Sequence, residues 1–174
     1  MNIFYLHHSP PLAARMHCDI HVIKMILETA QILSTVHHLH GNGDNAPYKM
    51  THQHHPSVKW AAESKVQYDW LQQLGVYLCN EYAVRYLGKR HACEKYIKGC
   101  LQAPPPALLA QKKYIWAEPP QAMPDDVKVP GDTATAYRNY YRKYKAHFAK
   151  WKLGGVPAWM TPVYNRYDAE AFLT

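Results

Sequence analysis

The sequence predicts a mainly α, single-domain helical bundle with a short extended arm at its N-terminus and a long proline-rich irregular segment. Three observations carry that expectation. Apolar residues recur at helical spacing over residues 10–36, 57–87 and 133–151. No stretch alternates apolar and polar residues as a half-buried strand would. The length of 174 residues, with 48% hydrophobic and 19% charged side chains, suits one folded domain rather than a disordered chain.

Each element has a local reason. MNIFYL is apolar and is stopped by Pro10-Pro11, so it reads as an extended arm or short strand. Ser9 and the two prolines open a helix, because proline is tolerated in a first turn. That helix is expected to run to about Val36, before the Gly-Asn-Gly-Asp loop chemistry at 41–44. Ser57 is the expected N-cap of a second helical region reaching Leu87, with Gly75 as a bend or division and Gly88 as its stop. HACEKYIKGCL predicts a shorter third helix. Prolines crowd the segment from Ala103 to about Gly131, which is expected to wrap the domain irregularly. Asp132 caps a final helix predicted to end before Gly154-Gly155, followed by an irregular tail with a last helical turn.

The start of the chain lacks the basic flank and long apolar stretch of a signal peptide, and no apolar run is long enough to span a bilayer. Four cysteines without a Cys-x-x-Cys pair point to reduced thiols and a cytoplasmic setting. A net charge of +7 and a pI near 9.2 favour an anionic partner, and DNA is the expected one. The 14 tyrosines, 5 tryptophans and 12 histidines fit that expectation, since such rings stack on bases and hydrogen-bond at wet surfaces.

The first helix carries the sharpest functional signal. His17, His21, Lys24, Glu28, Gln31 and Thr35 fall within a sector of roughly 80° on an otherwise apolar helix. A lysine amine can form a Schiff base, and a carboxylate one turn away can move protons. His17, His21, Lys24 and Glu28 are therefore the candidate catalytic groups, against a structural reading in which they only organise helix packing. His17 and His21 also have the i,i+4 spacing of helical zinc ligands, and HQHHP at 52–56 could add a third. The His-Glu-x-x-His order is absent, and neither a metal nor another cofactor is expected. His52, His55 and Trp60 are placed near the start of the second helix as a substrate-contacting rim. In YRNYYRKYK, the groups Arg138, Arg142, Lys143 and Lys145 are expected on phosphates, with Tyr141 stacking on bases. Glu81 and Arg85 read as a structural i,i+4 pair.

On AARMHCDIHVIKMILETAQILSTVH, YKMTHQHHPSVKWA, AMPDDVKV and AYRNYYRKYKAHFAKW the chain resembles a family of small phage-encoded hypothetical proteins. Its layout is also similar to the pyrimidine-dimer DNA glycosylases. The parallels are the arm, a first helix with His and Glu, the His55-Pro56 step and a basic tyrosine-rich C-terminal element. That second resemblance implies a DNA glycosylase/AP lyase or another base-modifying enzyme. In it an α-amine attacks the sugar C1′ and a helix-one glutamate assists. Glu28 is the nearest match for the glutamate, although its spacing differs. Asn2 is too large for efficient removal of the initiator methionine, so the implied nucleophile is the Met1 amine, or else Lys24. α-Amines as a class titrate near pH 8, roughly two units below lysine amines, which favours Met1. The alternatives are a non-enzymatic DNA- or protein-binding accessory protein and a histidine-liganded metal enzyme.

Overall fold

The computed structural model describes residues 1–153 and 155–161. Among these there is no strand, and the helical expectation holds, but the first helix is divided. Helix α1 spans Pro10–Met16 and α2 spans Asp19–Leu39. His17 and Cys18 between them are both extended, with ψ of 136° and 161°. No glycine or proline marks this corner. It is held from a distance by Arg85, whose Nη1 donates to His17 O at 2.6 Å and whose Nη2 donates to Arg15 O at 2.9 Å. Nη1 also lies 3.3 Å from Asp19 Oδ1. A guanidinium that supplies donors in several directions can satisfy carbonyls that a helix break leaves unpaired.

The second helical region is divided as well. Helix α3 spans Pro56–Glu63 and α4 spans Lys65–Arg85. The cap of α3 is His55 rather than Ser57: its Nδ1 accepts from Ser57 N at 3.1 Å, and Ser57 is buried in the first turn. Ser64 makes the break by leaving helical geometry, capping α4 through Gln67 N and donating to Ile115 O at 2.6 Å.

Helix α4 runs straight through Gly75. The glycine is there for close packing, because an added Cβ would lie 2.9 Å from Thr29 Cγ2 and 3.2 Å from Ile97 Cγ2. Gly75→Ala is therefore expected to lower stability by about 1–3 kcal/mol through overpacking, despite alanine's better helix propensity. Urea denaturation checks this, and a stabilised variant would show that α2 and α5 can move away from α4.

Helix α5 spans Glu94–Ile97 and α6 spans Pro106–Leu109. The irregular segment after α6 is fastened by side chains: Trp60 Nε1 donates to Ala117 O at 2.8 Å, and Thr133 Oγ1 donates to Pro119 O at 3.0 Å. Helix α7 spans Thr133–Tyr140 and is capped by Asp132, which accepts from Thr135 N. The helix expected to reach Trp151 does not. It widens into a π turn at Tyr141–Lys145, then gives way to turns. Most of the tail expected to be irregular with a last helical turn lies outside the described residues.

The arm is extended but joins no sheet. Its Tyr5 and Leu6 amides bond to Ile3 O and Phe4 O, and residues 3–6 are all buried. Arg138 Nε donates to Leu6 O, and Trp70 Nε1 donates to His8 O. The arm packs on α2 through Phe4 and His21, on α4 through Tyr5 and Trp70, and on α7 through Phe4 and Tyr137, which makes it part of the core. Three cysteines are buried, Cys100 is exposed, and all four thiols are free. No helix among the described residues is long and apolar enough to cross a membrane.

Candidate functional site

The arm begins at the carboxylate of Glu28. The Met1 α-amine lies 3.8 Å from Glu28 Oε2, and Asn2 N donates to the same oxygen at 2.8 Å. Lys24 Nζ, one turn earlier on α2, lies 3.6 Å from Glu28 Oε1. The Met1 side chain is only 3% exposed whereas the whole residue is half-buried, so the part of Met1 that meets solvent is its backbone. Methionine thus serves as an apolar plug at the start of the arm.

Asn2 sets this geometry from both sides of its peptide. Its Nδ2 donates to Ala122 O at 3.0 Å, and its Oδ1 accepts from the Tyr137 hydroxyl at 2.7 Å. Asn2 and Tyr137 are positioning residues that the sequence did not single out. Their partnership spans 135 positions, and although Tyr137 opens the YRNYYRKYK segment, nothing in that segment marks it as a partner of the arm.

His55 adds an imidazole to this neighbourhood. Burial holds it below its ordinary range, the Met1 amine and His52 push it further down, and Glu28 pulls it back up. A neutral ring at pH 7 follows, consistent with its Nδ1 accepting from Ser57 N. His52 is exposed, with its Nδ1 2.7 Å from Thr51 Oγ1 and a positive φ of 48°.

The expected stripe on the first helix separates into two groups. Lys24 and Glu28 meet the amine at the surface. His17 and His21 do not join them: the break at residues 17–18 takes His17 off α2, and His21, although still on α2, is buried against Phe4 and Tyr141. His17 is fully buried, with Nδ1 2.7 Å from Ala13 O and an Nε2 that has no hydrogen-bond partner among the described residues. His21 stacks on Phe4 at 4.5 Å between centroids, and its Nδ1 lies 2.6 Å from the Tyr141 hydroxyl. Burial pushes His17 down to about 4, against the Ala13 hydrogen bond and with help from Arg85. Burial likewise pushes His21 down to about 3, aided by the charges of His17, Lys145 and Lys24. Both rings therefore clamp the arm as neutral aromatic groups.

This arrangement bears on the zinc-like spacing too. His17 and His21 lie on different elements and are committed to different partners. Among the described residues, no three His, Cys, Asp or Glu side chains gather as a metal-holding set.

The basic tyrosine-rich segment is also more committed than its sequence suggests. Tyr141 is fully buried against Phe4 and His21, and Trp60 is buried against Trp70 and the exposed Trp116, so neither Tyr141 nor Trp60 is presented to a base. Arg138 holds the arm at Leu6 O. Arg142 donates to Asn139 Oδ1 at 2.6 Å. Lys143 pairs with Asp126, and Lys145 sits 4.7 Å above the Tyr140 ring. The lysines remain at the surface, where Asp126, Val127, Asn139, Arg142 and Lys143 line a shallow cleft. No family model, no curated protein and no solved structure matches this chain.

Proposed function

We propose that this chain is a DNA-processing enzyme that acts at a base or its glycosidic bond, with the Met1 α-amine as nucleophile and Glu28 as the proton-transfer group. The observation that carries the reading is the ion pair between the Met1 amine and the Glu28 carboxylate on α2. An arm packed through the core gives that amine a defined position, and positioning of a nucleophile accounts for a large part of a barrier. Lys24 has 64% of its side chain exposed, so it lacks the apolar pocket that activates a lysine nucleophile. It fits instead as a cation for a phosphate beside the site. The net charge of +7 favours the same polyanion.

The chemistry balances without a cofactor. Glu28 takes a proton from the Met1 ammonium, the neutral amine attacks C1′, the C1′–N bond breaks, and the base leaves with the bonding pair and receives that proton from Glu28. Opening of the sugar ring then yields an imine between C1′ and the Met1 nitrogen. Glu28 as base removes a C2′ proton, and the 3′ phosphate leaves with the C3′–O bonding pair. Hydride from borohydride would reduce the imine to a stable secondary amine.

The test is borohydride trapping on duplexes carrying an abasic site, a pyrimidine dimer, or alkylated and otherwise modified bases. A covalent adduct is expected with at least one. Glu28→Gln keeps an acceptor for Asn2 N while removing the carboxylate, and it should reduce trapping about 100-fold or more with the fold intact. No adduct with any substrate rejects the reading. A second reading then gains ground: an accessory DNA- or protein-binding protein. It is favoured by the short bond from Asn2 N to Glu28, which makes the carboxylate a latch for the arm.

A further inference from the structure

Helix α4 ends in an unusual way. The Gly88 amide reaches back to Ala83 O at 2.8 Å, the closing bond of a Schellman motif. The left-handed position of that motif is normally glycine. Here it is Leu87, with φ of 56°, and Gly88 follows at 80°. A leucine in this conformation is strained, and this one is 94% exposed, so packing among the described residues does not account for it. Val84 is 63% exposed and Tyr77 38%, and both lie on the adjoining outer face of α4 at a spacing of two turns.

The same face runs into a cleft of opposite character. Lys98 Nζ reaches Asn80 Oδ1, which lies between Tyr77 and Val84 on the helix, and it also pairs with Glu94. Arg90, 70% exposed, pairs with the same carboxylate, and Lys95 lines the cleft with them. Glu94 is shared between two cations, so the cleft keeps an excess of positive charge.

We propose that the outer face of α4, ending at Leu87, and the basic cleft beside α5 form one docking surface for an acidic amphipathic segment of a partner protein. The apolar groups favour a protein over a nucleic acid. Leu87 and Val84, the two most exposed of them, are aliphatic and offer no plane on which a base can stack, which leaves Tyr77 as the one aromatic ring of the three. A helix-like segment with apolar groups on one face and Asp or Glu beside them would fill the stripe and meet Arg90, Lys95 and Lys98 together. This surface shares no residue with the Met1–Glu28 site.

The test titrates the full chain against a labelled synthetic helical peptide with Leu at i, i+3 and i+7 and Glu between them, followed by fluorescence anisotropy. Saturable binding that weakens with salt is expected. Leu87→Asn should weaken it about tenfold. The same substitution should raise the urea midpoint, because asparagine tolerates the left-handed region. Arg90→Glu with Lys95→Glu should weaken the Glu peptide by a similar factor, and a peptide with Lys in place of Glu should not bind. The proposal is overturned by absence of saturable binding, by an affinity that Leu87→Asn leaves unchanged, or by a lower urea midpoint in that variant. Tighter binding of a single-stranded oligonucleotide or of anionic phosphatidylglycerol vesicles at these residues would overturn it as well.

Discussion

Arg85→Met is expected to lower stability by about 3–5 kcal/mol, a large share of what a domain of this size possesses. Arg85 is 4% exposed and holds the corner between α1 and α2 through Arg15 O, His17 O and Asp19 Oδ1. Asp19 depends on the same arrangement. Its Oδ2 accepts from Lys152 N, and Asp19 N donates to Lys150 O, so the corner also ties down the segment after α7. Methionine would fill part of the space but strand the buried His17 carbonyl, the Arg15 carbonyl and the carboxylates of Asp19 and Glu81. Urea denaturation of Arg85→Met, Asp19→Asn and the double variant separates the terms. Asp19→Asn should cost much less in the Arg85→Met background than alone. A loss below about 1 kcal/mol for Arg85→Met would show that α1 and α2 hold their corner without it.

Acid should weaken the fold well above the range in which carboxylates protonate. His17 and His21 stay neutral in the folded chain, pushed down by burial to about 4 and about 3, while free imidazoles titrate near 6.5. The unfolded chain therefore binds more protons as pH falls below about 6.5. The contribution of each ring is fully present above that pH and is lost progressively as pH falls toward its folded value. Between pH 7.5 and pH 5 the two together should remove about 4 kcal/mol of stability. His37, also held down by burial, acts in the same direction. Urea midpoints across this range measure the effect. His21→Phe keeps a ring on Phe4 and should remove close to half of the pH dependence, whatever it does to stability at neutral pH. A flat response between pH 7.5 and 5 would mean that these rings are not neutral and buried in solution.

The elements legible in the sequence were those with local causes. Pro10-Pro11, Asp132 and the helical spacing of α2 and α4 each act within a few residues, and each is where it was expected. The breaks at His17–Cys18 and Ser64 were hidden because their compensation is distant. Arg85 satisfies the first from 68 residues away, and Ile115 satisfies the second from 51. The same corner explains why His17 leaves the stripe, because a 3.6-residue period has no meaning across an extended pair. His21, Lys24 and Glu28 all lie beyond the break, and His21 is set apart by burial against Phe4 and Tyr141, which its spacing does not announce. The basic run 138–145 shows another limit of residue type. Residue type announces charge, but only the fold reveals that Arg138 is spent on Leu6 O and Lys143 on Asp126. Asn2 drew notice only for its size, yet it fixes the arm at three points: Glu28, Ala122 and Tyr137.

The most direct measurement of the central claim is peptide mass mapping of a borohydride-trapped DNA adduct. The expected adduct is on the α-amine of Met1. Lys24→Ala should still trap, and protein whose N-terminal amine has been dimethylated, which cannot form an imine, should not. An adduct mapped to Lys24 or another lysine, or undiminished trapping by the dimethylated protein, would contradict the assignment of the Met1 amine as nucleophile.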